Sequence, residues 1–364
     1  MKFLKDFDFN NKIVIVRGDF DVPLDSKGKI LDDFKIRKAI PTIKYLLENQ
    51  AVKIILIGNG NLSGVAKRLS QLLDREIKFA KNIKGLGKSE ITMLEGLTPE
   101  QEKNESFIEK LAKSADIYIN DCFADSHHEL GSIIGIPKYI DKGAGLLLEE
   151  EINISKSLLE EPRRPLIVIL GGEKVDTKIP ALMKFLELAD HVLIGGVLAP
   201  AILHAKKISL SYVDVSLEIE EMLSSLELTN PKLHLPIDAL VGLKDRREDY
   251  LRKSGAGKIR LEEQMFDIGP ETVRMFSDII STAGTVIWHG PMGLIEDERF
   301  SNGTLSIASA ILRSNAFSVV GGSHTGSFLA QNNLRGKFDH ISTGGGAMLK
   351  YFVNQELPGI KALL

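Results

Sequence analysis

Residues 165–179 read PLIVILGGEKVDTKI. A β-branched apolar run ends at two glycines, and Lys174 and Lys178 follow, four residues apart. Such a run is typical of a strand that is buried on both faces of a parallel sheet. Side chains four apart share one face of a helical turn, so both lysines can reach one polyphosphate. A solvated lysine pair on an ordinary helix is the alternative for this spacing.

The same order of strand and helix recurs along the chain. Apolar runs predict strands at 12–20, 52–58, 116–121, 165–172, 191–196, 285–290, 317–322 and 338–343. Amphipathic patterns predict helices over 36–49, 63–74 and 106–116. This alternation indicates an α/β protein with parallel, doubly wound sheets, whose ligands bind at the carboxyl ends of the strands. A length of 364 residues favours two domains, and the charged segment 143–165 with its Pro-rich end is the expected seam.

Five of the second-half strands run into glycine, in the stretches LGGEK, IGGVL, HGPMG, VGGSHTG and HISTGGGA. Glycine lets the backbone approach a ligand closely, and a helix that follows presents free N–H groups to phosphate. Five such strand ends in one half predict a nucleotide or phosphate site, although a tight strand-to-helix turn requires glycine as well. The spacing matches neither the Walker A motif nor the dinucleotide-binding GxGxxG motif.

Composition narrows the class of partner. The formal charge of −3 gives no general attraction to nucleic acid or to an anionic membrane. Cys122 is the single cysteine, which excludes an intrachain disulfide and favours a reducing cytoplasm. The N-terminal stretch MKFLKDFDFNNK has no signal-peptide pattern, and the apolar runs are too short to span a bilayer. The charge-rich segment 244–260 predicts a solvated loop rather than an RNA-binding surface.

Together these motifs resemble the phosphoglycerate kinase family. The resemblance rests on LGGEKVDTKI, LIGGVLA, LPIDALV, DIGPETV, WHGPMGLIE, SVVGGSHTG and HISTGGGA, and in the first half on VRGDFDVPLD, AIPTIKYLLE, VAKRLSQLL and KSADIYINDCFADSH. It extends to the closing ELPGIKAL. It implies two doubly wound lobes joined by a hinge helix: an acceptor lobe over 1–150, a nucleotide lobe over 151–345, and a segment 346–364 that packs back on the first lobe.

The resemblance also implies the nucleotide site, for ATP or ADP with Mg²⁺. Lys174 and Lys178 match the lysines that contact the transferring phosphoryl group and the nucleotide phosphates, and Glu296 matches the carboxylate on the ribose. The implied nucleotide contacts are Gly172, Lys178, Gly195, Gly196, Glu296, Gly321, Gly322, Ser323, His324 and Thr325. The helix start at Gly344, Gly345 and Gly346 is implied to lie beside the transferred phosphoryl group and is assigned a catalytic role.

Two positions of this site depart from the family pattern. The metal-coordinating Asp of the family is His324 here, and the Asn of its WNGP motif is His289. Mg²⁺ prefers oxygen ligands, which makes histidine a poor replacement. The two imidazoles could contact phosphate as cations or simply fill space. No protein metal ligand is therefore predicted.

The acceptor side departs further. The family's catalytic Arg aligns with Lys35, its SHLGRP loop shortens to Gly58-Asn59-Gly60, and the Arg of NDAFGTAHR aligns with His128. Asp19 matches the carboxylate that touches the substrate hydroxyl. The resemblance thus implies an acceptor site of Asp19, Phe20, Asp21, Lys35, Asn59 and His128, with Lys35 in a catalytic role.

These replacements predict a change of acceptor. Arg grips phosphate through a bidentate fork that Lys cannot reproduce, and the loss of one preorganised donor costs roughly 10²–10³ in turnover. Carboxylates also arrive, at Asp21, Asp125 and Glu129. The leading interpretation is a phosphotransferase that acts between a nucleotide and a carboxylic acid, through an acyl phosphate, with an acceptor less negative than 3-phosphoglycerate.

Two other functions stay open. One is an ordinary glycolytic phosphoglycerate kinase, and the other is a catalytically silent nucleotide-binding protein. Asp121, Asp125, His127 and His128 could hold a metal, but the polar rim of a cleft explains them better. Cys122, Trp288 and the remaining histidines are predicted to be structural, and the protein is expected to be a monomer.

Overall fold

A computed structural model describes residues 1–209, 213, 215–243 and 250–364. Contacts divide the chain into two compact units: Met1–Lys156 together with Asn354–Leu364, and Ser157–Val353. The helix Leu146–Glu160 runs through the division between them, close to the seam expected from the sequence. The predicted limits at 150 and 345 lie six and eight residues before the divisions after Lys156 and Val353.

Each of the eight predicted apolar runs contains a strand, and seven further strands among the described residues were not predicted. The strands are β1 Ile13–Gly18, β2 Lys53–Ile57, β3 Lys78–Ala80, β4 Ile91–Leu94, β5 Ile117–Asp121, β6 Asp141–Ala144, β7 Leu166–Leu170, β8 His191–Ile194, β9 Leu233–His234, β10 Asp238–Leu243, β11 Leu251–Gly255, β12 Glu263–Ile268, β13 Thr285–His289, β14 Phe317–Gly321 and β15 His340–Ile341. The helices are α1 Phe34–Glu48, α2 Ser63–Leu73, α3 Pro99–Lys103, α4 Glu105–Ala112, α5 Leu146–Glu160, α6 Val175–Leu188, α7 Leu198–Ala205, α8 Leu217–Ser225, α9 Pro270–Ile280, α10 Asn302–Arg313, α11 Ser323–Gln331, α12 Gly346–Asn354 and α13 Pro358–Lys361.

The first unit is built on six parallel strands in the order β3-β4-β2-β1-β5-β6. Burial of both faces explains why β1 and β2 are nearly continuous apolar runs. The chain moves from β1 to one side of the sheet and returns to its other side at β5. In such sheets the crevice at this change of direction, at the carboxyl ends, is the usual ligand position.

The last residues of the chain complete the first unit. Helix α13 brings the Gly359 N–H within 2.8 Å of the Ser126 carbonyl oxygen, to which it donates a hydrogen bond. A Cβ at Gly359 would lie 2.7 Å from a methyl group of Ile133, so only glycine fits this contact. The segment Asn354–Leu364 therefore belongs to the first unit.

The second unit contains a second parallel sheet, in the order β15-β14-β13-β7-β8-β9. Strand β7 is buried at every position. The five strands that run into glycine are consecutive in this order, so their carboxyl ends share one edge. The predicted α/β class with parallel, doubly wound sheets is confirmed, and no described helix has the length and apolarity to cross a membrane.

A small antiparallel sheet in the order β11-β10-β12 corrects one prediction. Segment 244–260 was expected to be a solvated loop. Residues 244–249 lie outside the described part, but Leu251–Gly255 forms a strand. The charge of this strand is paired within the sheet: Arg252 forms two 2.6 Å hydrogen bonds with the buried carboxylate of Glu263 in β12. Charge density alone therefore misidentified an ion-paired strand.

Candidate functional site

Three neighbouring strands of the first sheet end in polar side chains. Asp19 follows β1, Asn59 follows β2, and Asp125 follows β5 by four residues. Since β2, β1 and β5 are adjacent and parallel, the fold brings these residues to one edge. We call this carboxyl-end edge of the first sheet, with its residues Arg17, Asp19, Lys35, Asn59 and Asp125, the acceptor edge.

Arg17 is the residue that the sequence prediction missed. It lies within β1 with 1% of its surface exposed, and its Nη2 atom lies 2.6 Å from Oδ2 of Asp125. Nε donates to the Ser132 hydroxyl at 3.2 Å, and Nη1 donates to the Gly18 carbonyl oxygen. The available signal was an arginine inside the apolar run IVIVRG, because a buried guanidinium requires a polar partner.

Asp125 is the common partner on this edge. Besides Arg17, Asn59 Nδ2 donates to the same Oδ2 atom at 3.1 Å, and the Cys122 thiol lies 3.6 Å from it. Asp125 is one of the carboxylates that the sequence was expected to add on the acceptor side, and its negative charge is compensated by Arg17. Burial raises the pKa of the Cys122 thiol well above its usual value, so this cysteine stays protonated and serves as a core residue.

Lys35 and Asp19 form the second pair. Lys35 Nζ lies 3.1 Å from Oδ1 and 3.0 Å from Oδ2 of Asp19, which is 2% exposed. Burial raises the pKa of Asp19 to about 6 against the opposing effect of Lys35. Burial alone would lower the pKa of Lys35, but the Asp19 carboxylate reverses this and raises it. Oδ2 of Asp19 is buried and, within the described residues, accepts no hydrogen bond of good geometry, which agrees with the raised pKa of this carboxyl group.

The other predicted acceptor residues have different surroundings. Phe20 is buried, and its ring occupies the space that side chains at Gly18 and Gly58 would need. Asp21 is exposed and contributes to the raised pKa of Lys35. His128 is exposed, with its ring centroid 3.8 Å from that of His127. Phe20 therefore supports the edge, whereas Asp21 and His128 face solvent.

The charges of the acceptor edge cancel. Arg17 is paired with Asp125 and Lys35 with Asp19, so two cations meet two carboxylates. A phosphorylated acid that binds here either displaces the Asp125 carboxylate from Arg17 or binds without a contact to a guanidinium group.

Glycine loops fill the carboxyl-end edge of the second sheet, which we call the nucleotide edge. The Gly172 N–H donates to the Pro291 carbonyl at 2.7 Å, and the Gly196 N–H donates to the Met292 carbonyl at 2.8 Å. Gly172 has a φ of +77°, a conformation that side-chain-bearing residues rarely adopt. The predicted positions Gly172, Gly195 and Gly196 thus form one backbone-bonded surface.

Helix starts point positive charge at this edge. Helices α6, α7, α11 and α12 begin within four residues of the glycines at the ends of β7, β8, β14 and β15. Free N–H groups at a helix start bind anions, and the helix dipole favours negative charge at that position. The predicted residues Ser323, Thr325 and Gly346 lie in the first turns of α11 and α12.

Lys178 is buried at this edge and has no counter-ion among the residues that the structure describes. It is 4% exposed, and its Nζ donates to the Lys174 carbonyl oxygen at 3.2 Å. Burial and the neighbouring Lys174 lower its pKa to about 8. No carboxylate in the described part of the chain lies within ion-pair distance of Lys178. A desolvated ammonium without a carboxylate gains most from an anionic ligand.

His289 lies under the glycines of the nucleotide edge. Its Nε2 lies 3.1 Å from the Gly345 carbonyl, which can only accept, so Nε2 carries the proton of the neutral ring. Burial and Lys178 lower its pKa to about 4, which argues against the alternative that His289 binds phosphate as a cation at neutral pH. The buried Thr325 hydroxyl has no hydrogen-bond partner among described atoms, which suits a polar ligand.

Among the predicted residues, side chains that can bind a metal ion include His324, Glu296 and Asp121. Within the described ranges no group of three or more His, Cys, Asp or Glu residues could hold a metal ion. His324 is exposed, as is Glu296, the predicted ribose ligand. Asp121 is used structurally, because its Oδ1 accepts the Leu147 N–H at 2.9 Å at the start of α5. The polar-rim interpretation of Asp121 is thus replaced by a helix cap.

Two further predictions concern structural residues. Trp288 is fully buried and donates from Nε1 to the Gly290 carbonyl at 2.8 Å. His191 Nδ1 and His234 Nε2 lie 3.0 Å apart, so these two half-buried imidazoles satisfy one another across β8 and β9. Both observations agree with structural roles.

Comparison with known proteins gives a consistent result over the whole chain. The family model described as phosphoglycerate kinase matches residues 4–355. Phosphoglycerate kinases of Coprothermobacter proteolyticus and Macrococcus caseolyticus are each 36% identical to the chain; the alignments cover 100% of this chain and 99% and 98% of the relatives. Solved structures of phosphoglycerate kinases from Pyrococcus horikoshii and Coxiella burnetii superpose with TM-scores of 0.86 and 0.84, at 31% and 30% identity. Both cover 100% of this chain, and 98% of each solved chain is covered.

Proposed function

The chain belongs to the phosphoglycerate kinase family, and from this premise we propose that it transfers a phosphoryl group between ATP and the carboxylate of 3-phosphoglycerate. The site observation that carries the proposal is Lys178, a buried ammonium with no carboxylate partner in the described part of the chain, at an edge where four helices begin. Such an edge is suited to polyphosphate. The ordinary family activity thereby takes precedence over the altered acceptor predicted from the replacements.

The proposed transfer is a single in-line displacement. A carboxylate oxygen of the acid forms a bond to the γ-phosphorus of ATP, the bond to the β–γ bridging oxygen breaks, and ADP leaves with that oxygen. The reverse direction forms ATP from the acyl phosphate. This chemistry depends on positioning and charge neutralisation rather than on a covalent residue. The family uses ATP or ADP with Mg²⁺, which neutralises phosphate charge when it is bound.

Each of the site residues has a role in the proposed transfer. Lys174, Lys178 and the helix start at Gly344–Gly346 neutralise charge on the transferring phosphoryl group. Glu296 binds the ribose, and Gly172, Gly195 and Gly196 give the base a flat surface. On the acceptor edge Asp19 accepts a hydrogen bond from the substrate hydroxyl, and Lys35 offsets the negative charge of the acid.

A coupled assay tests the proposal directly. Purified protein with ATP, Mg²⁺ and 3-phosphoglycerate should form an acyl phosphate that a dehydrogenase reduces, with NADH oxidation as the readout. Calorimetric binding of ADP without turnover on any carboxylic acid would contradict the proposal and identify the protein as a silent nucleotide binder.

A second candidate is an acceptor acid without a phosphate group. The observation that favours it is the pairing of Arg17 with Asp125 and of Lys35 with Asp19, which leaves the acceptor edge without net positive charge. Turnover should then be compared for 3-phosphoglycerate, glycerate and serine. A higher kcat/KM for glycerate or serine than for 3-phosphoglycerate would establish the altered acceptor, and the reverse order would remove it.

Two properties complete the proposal. A single buried cysteine suits a reducing compartment, so we place the protein in the cytoplasm. We expect a monomer, which size-exclusion chromatography with light scattering will check.

A further inference from the structure

We propose that Asp125 is a specificity-determining residue, whose carboxylate competes with substrate phosphate for Arg17 and so weakens the binding of phosphorylated acids. This inference rests on the proposed function, since it assumes that the acceptor edge binds the acid. It assigns a role to the ion pair between Arg17, near the end of β1, and Asp125, four residues after the end of β5.

The guanidinium of Arg17 is held from three directions. Nη2 is bonded to Asp125, Nε to the Ser132 hydroxyl, and Nη1 to the Gly18 carbonyl oxygen. A bidentate grip on phosphate requires two parallel N–H groups on one side of the guanidinium. With Asp125 in place, one of the groups that would form that grip is already committed.

The inner partners of Arg17 are themselves fixed. The Ser132 hydroxyl donates to Glu102 Oε1 at 2.6 Å, and the Ser132 N–H donates to Glu102 Oε2 at 2.7 Å. Ser132 is fully buried and Glu102 is 8% exposed. The back of the guanidinium is therefore anchored to α3, and Arg17 cannot withdraw from the edge to avoid a ligand.

Asp125 occupies the open side of the pair. Its side chain is 26% exposed, whereas that of Arg17 is 1% exposed. A solute that approaches Arg17 from solvent therefore meets the Asp125 carboxylate first. A phosphate group that carries about −1.5 to −2 charges is repelled by this carboxylate and has to replace it at Nη2.

The competition can be removed without removing the side chain. In Asp125→Asn an amide oxygen can still accept from Arg17, so the guanidinium is not left bare, but the competing charge is lost. The edge then carries Arg17 and Lys35 against Asp19 alone. A phosphorylated acid should gain affinity, while an unphosphorylated acid of the same shape should not.

The experiment is calorimetric titration of full-length protein, without turnover, with 3-phosphoglycerate, glycerate and ADP as separate probes. In Asp125→Asn we expect the Kd of 3-phosphoglycerate to fall at least tenfold, with the Kd of glycerate and of ADP unchanged within twofold. Asp141→Asn is the matched control. Asp141 pairs with Lys2 at the start of β6, at the opposite edge of the same sheet, so this variant makes the same charge change away from the site.

Arg17 has to be responsible for the gain. Adding Arg17→Gln to Asp125→Asn should return the Kd of 3-phosphoglycerate to the wild-type value or above it. A Kd in Asp125→Asn within twofold of wild type, or a gain that survives Arg17→Gln, would overturn the proposal.

A second variant, with the opposite expected effect on binding, keeps the proposal testable if Asp125→Asn does not fold. Asn59 Nδ2 lies 3.1 Å from Asp125 Oδ2, so Asn59→Asp adds a second competing carboxylate. It should weaken 3-phosphoglycerate binding at least threefold and glycerate binding less; equal loss for both acids would overturn the competition. Because these are binding measurements, a protein that shows the predicted shifts without phosphotransfer would reject the proposed function and keep this inference.

Discussion

The carboxyl-end edges of the two sheets present charge in opposite ways. The acceptor edge uses charged side chains, and each cation there has a carboxylate partner. The nucleotide edge uses backbone N–H groups and Lys178, a lysine without a carboxylate partner among the described residues. Both sheets are six-stranded and parallel, so the fold does not dictate the difference. A paired charge has to be competed away before it binds a ligand, whereas an unpaired one is ready to bind but lowers stability.

Removal of the unpaired lysine should have the largest effect. Lys178→Met is expected to reduce kcat by roughly 10²–10³, the usual loss for one preorganised charge-stabilising donor. The free energy of unfolding should not fall at pH 7, because a pKa lowered to about 8 shows that the folded state disfavours this ammonium. Steady-state kinetics and urea denaturation measure both.

Lys184→Met is the matched control on the same helix, since Lys184 is paired with Glu187 at 3.1 Å. This variant should change neither kcat nor the free energy of unfolding appreciably. A Lys178 variant that loses stability and keeps its turnover would reverse the contrast between the two edges.

The buried pair of the acceptor edge should give a pH-dependent stability. The pKa of Asp19 is raised to about 6 in the folded protein, against about 3.9 for an unfolded Asp. Its contribution to stability is complete below pH 3.9 and is lost as pH rises through 6, with a total of about 3 kcal/mol at 1.36 kcal/mol per pKa unit.

Denaturation of wild type and Asp19→Asn between pH 4 and 8 isolates this effect. The free energy of unfolding of wild type minus that of Asp19→Asn should decline from pH 4 to 7 and then level off. A difference that grows with pH would show that Lys35 stabilises the ionised carboxylate more than burial destabilises it.

A change of backbone conformation at the nucleotide edge should have an effect of intermediate size. Gly172→Ala places a side chain at a φ of +77°, which costs about 1–2 kcal/mol, and a Cβ there would lie 3.5 Å from Lys178 Nζ. We expect lower stability together with weaker ADP binding. Gly64→Ala in α2 is the control: a Cβ there meets no atom closer than 3.9 Å. It should be neutral or stabilising by up to about 1 kcal/mol.

An exposed ion pair should have the smallest effect. Arg75 and Glu90 lie 2.9 Å apart with half of each side chain exposed. Arg75→Ala is expected to change the free energy of unfolding by less than about 1 kcal/mol, and by less still in high salt. A larger loss would mean that surface pairs of the first unit contribute as much as its buried ones.

The apolar runs predicted the sheets because strands buried on both faces have to be apolar along their length. The short strands β3, β4, β6 and β9 were missed, and so were β10 and β12 of the antiparallel sheet. Strands β3 and β6 also contain lysine, and β11 was mistaken for a loop because its charged Arg252 pairs with Glu263. The clustering of the glycines at one edge could be predicted because they follow parallel strands within a few residues, and Lys174 and Lys178 follow β7 at distances of four and eight residues. The pairing of Arg17 with Asp125 could not be predicted, since 108 residues separate the two and the sequence around each residue gives no information about the other.

The peptide that carries Asp125 is anchored by the far end of the chain. The Gly359 N–H bonds to the carbonyl of Ser126, the next residue. During synthesis, residues 1–156 leave the ribosome long before 354–364 exist, so the acceptor edge acquires its final support only after the whole intervening unit has been made. A protease cut near residue 354, or a bulky fusion after it, is thus expected to loosen the carboxyl-end edge of the first sheet and to leave that of the second sheet unchanged.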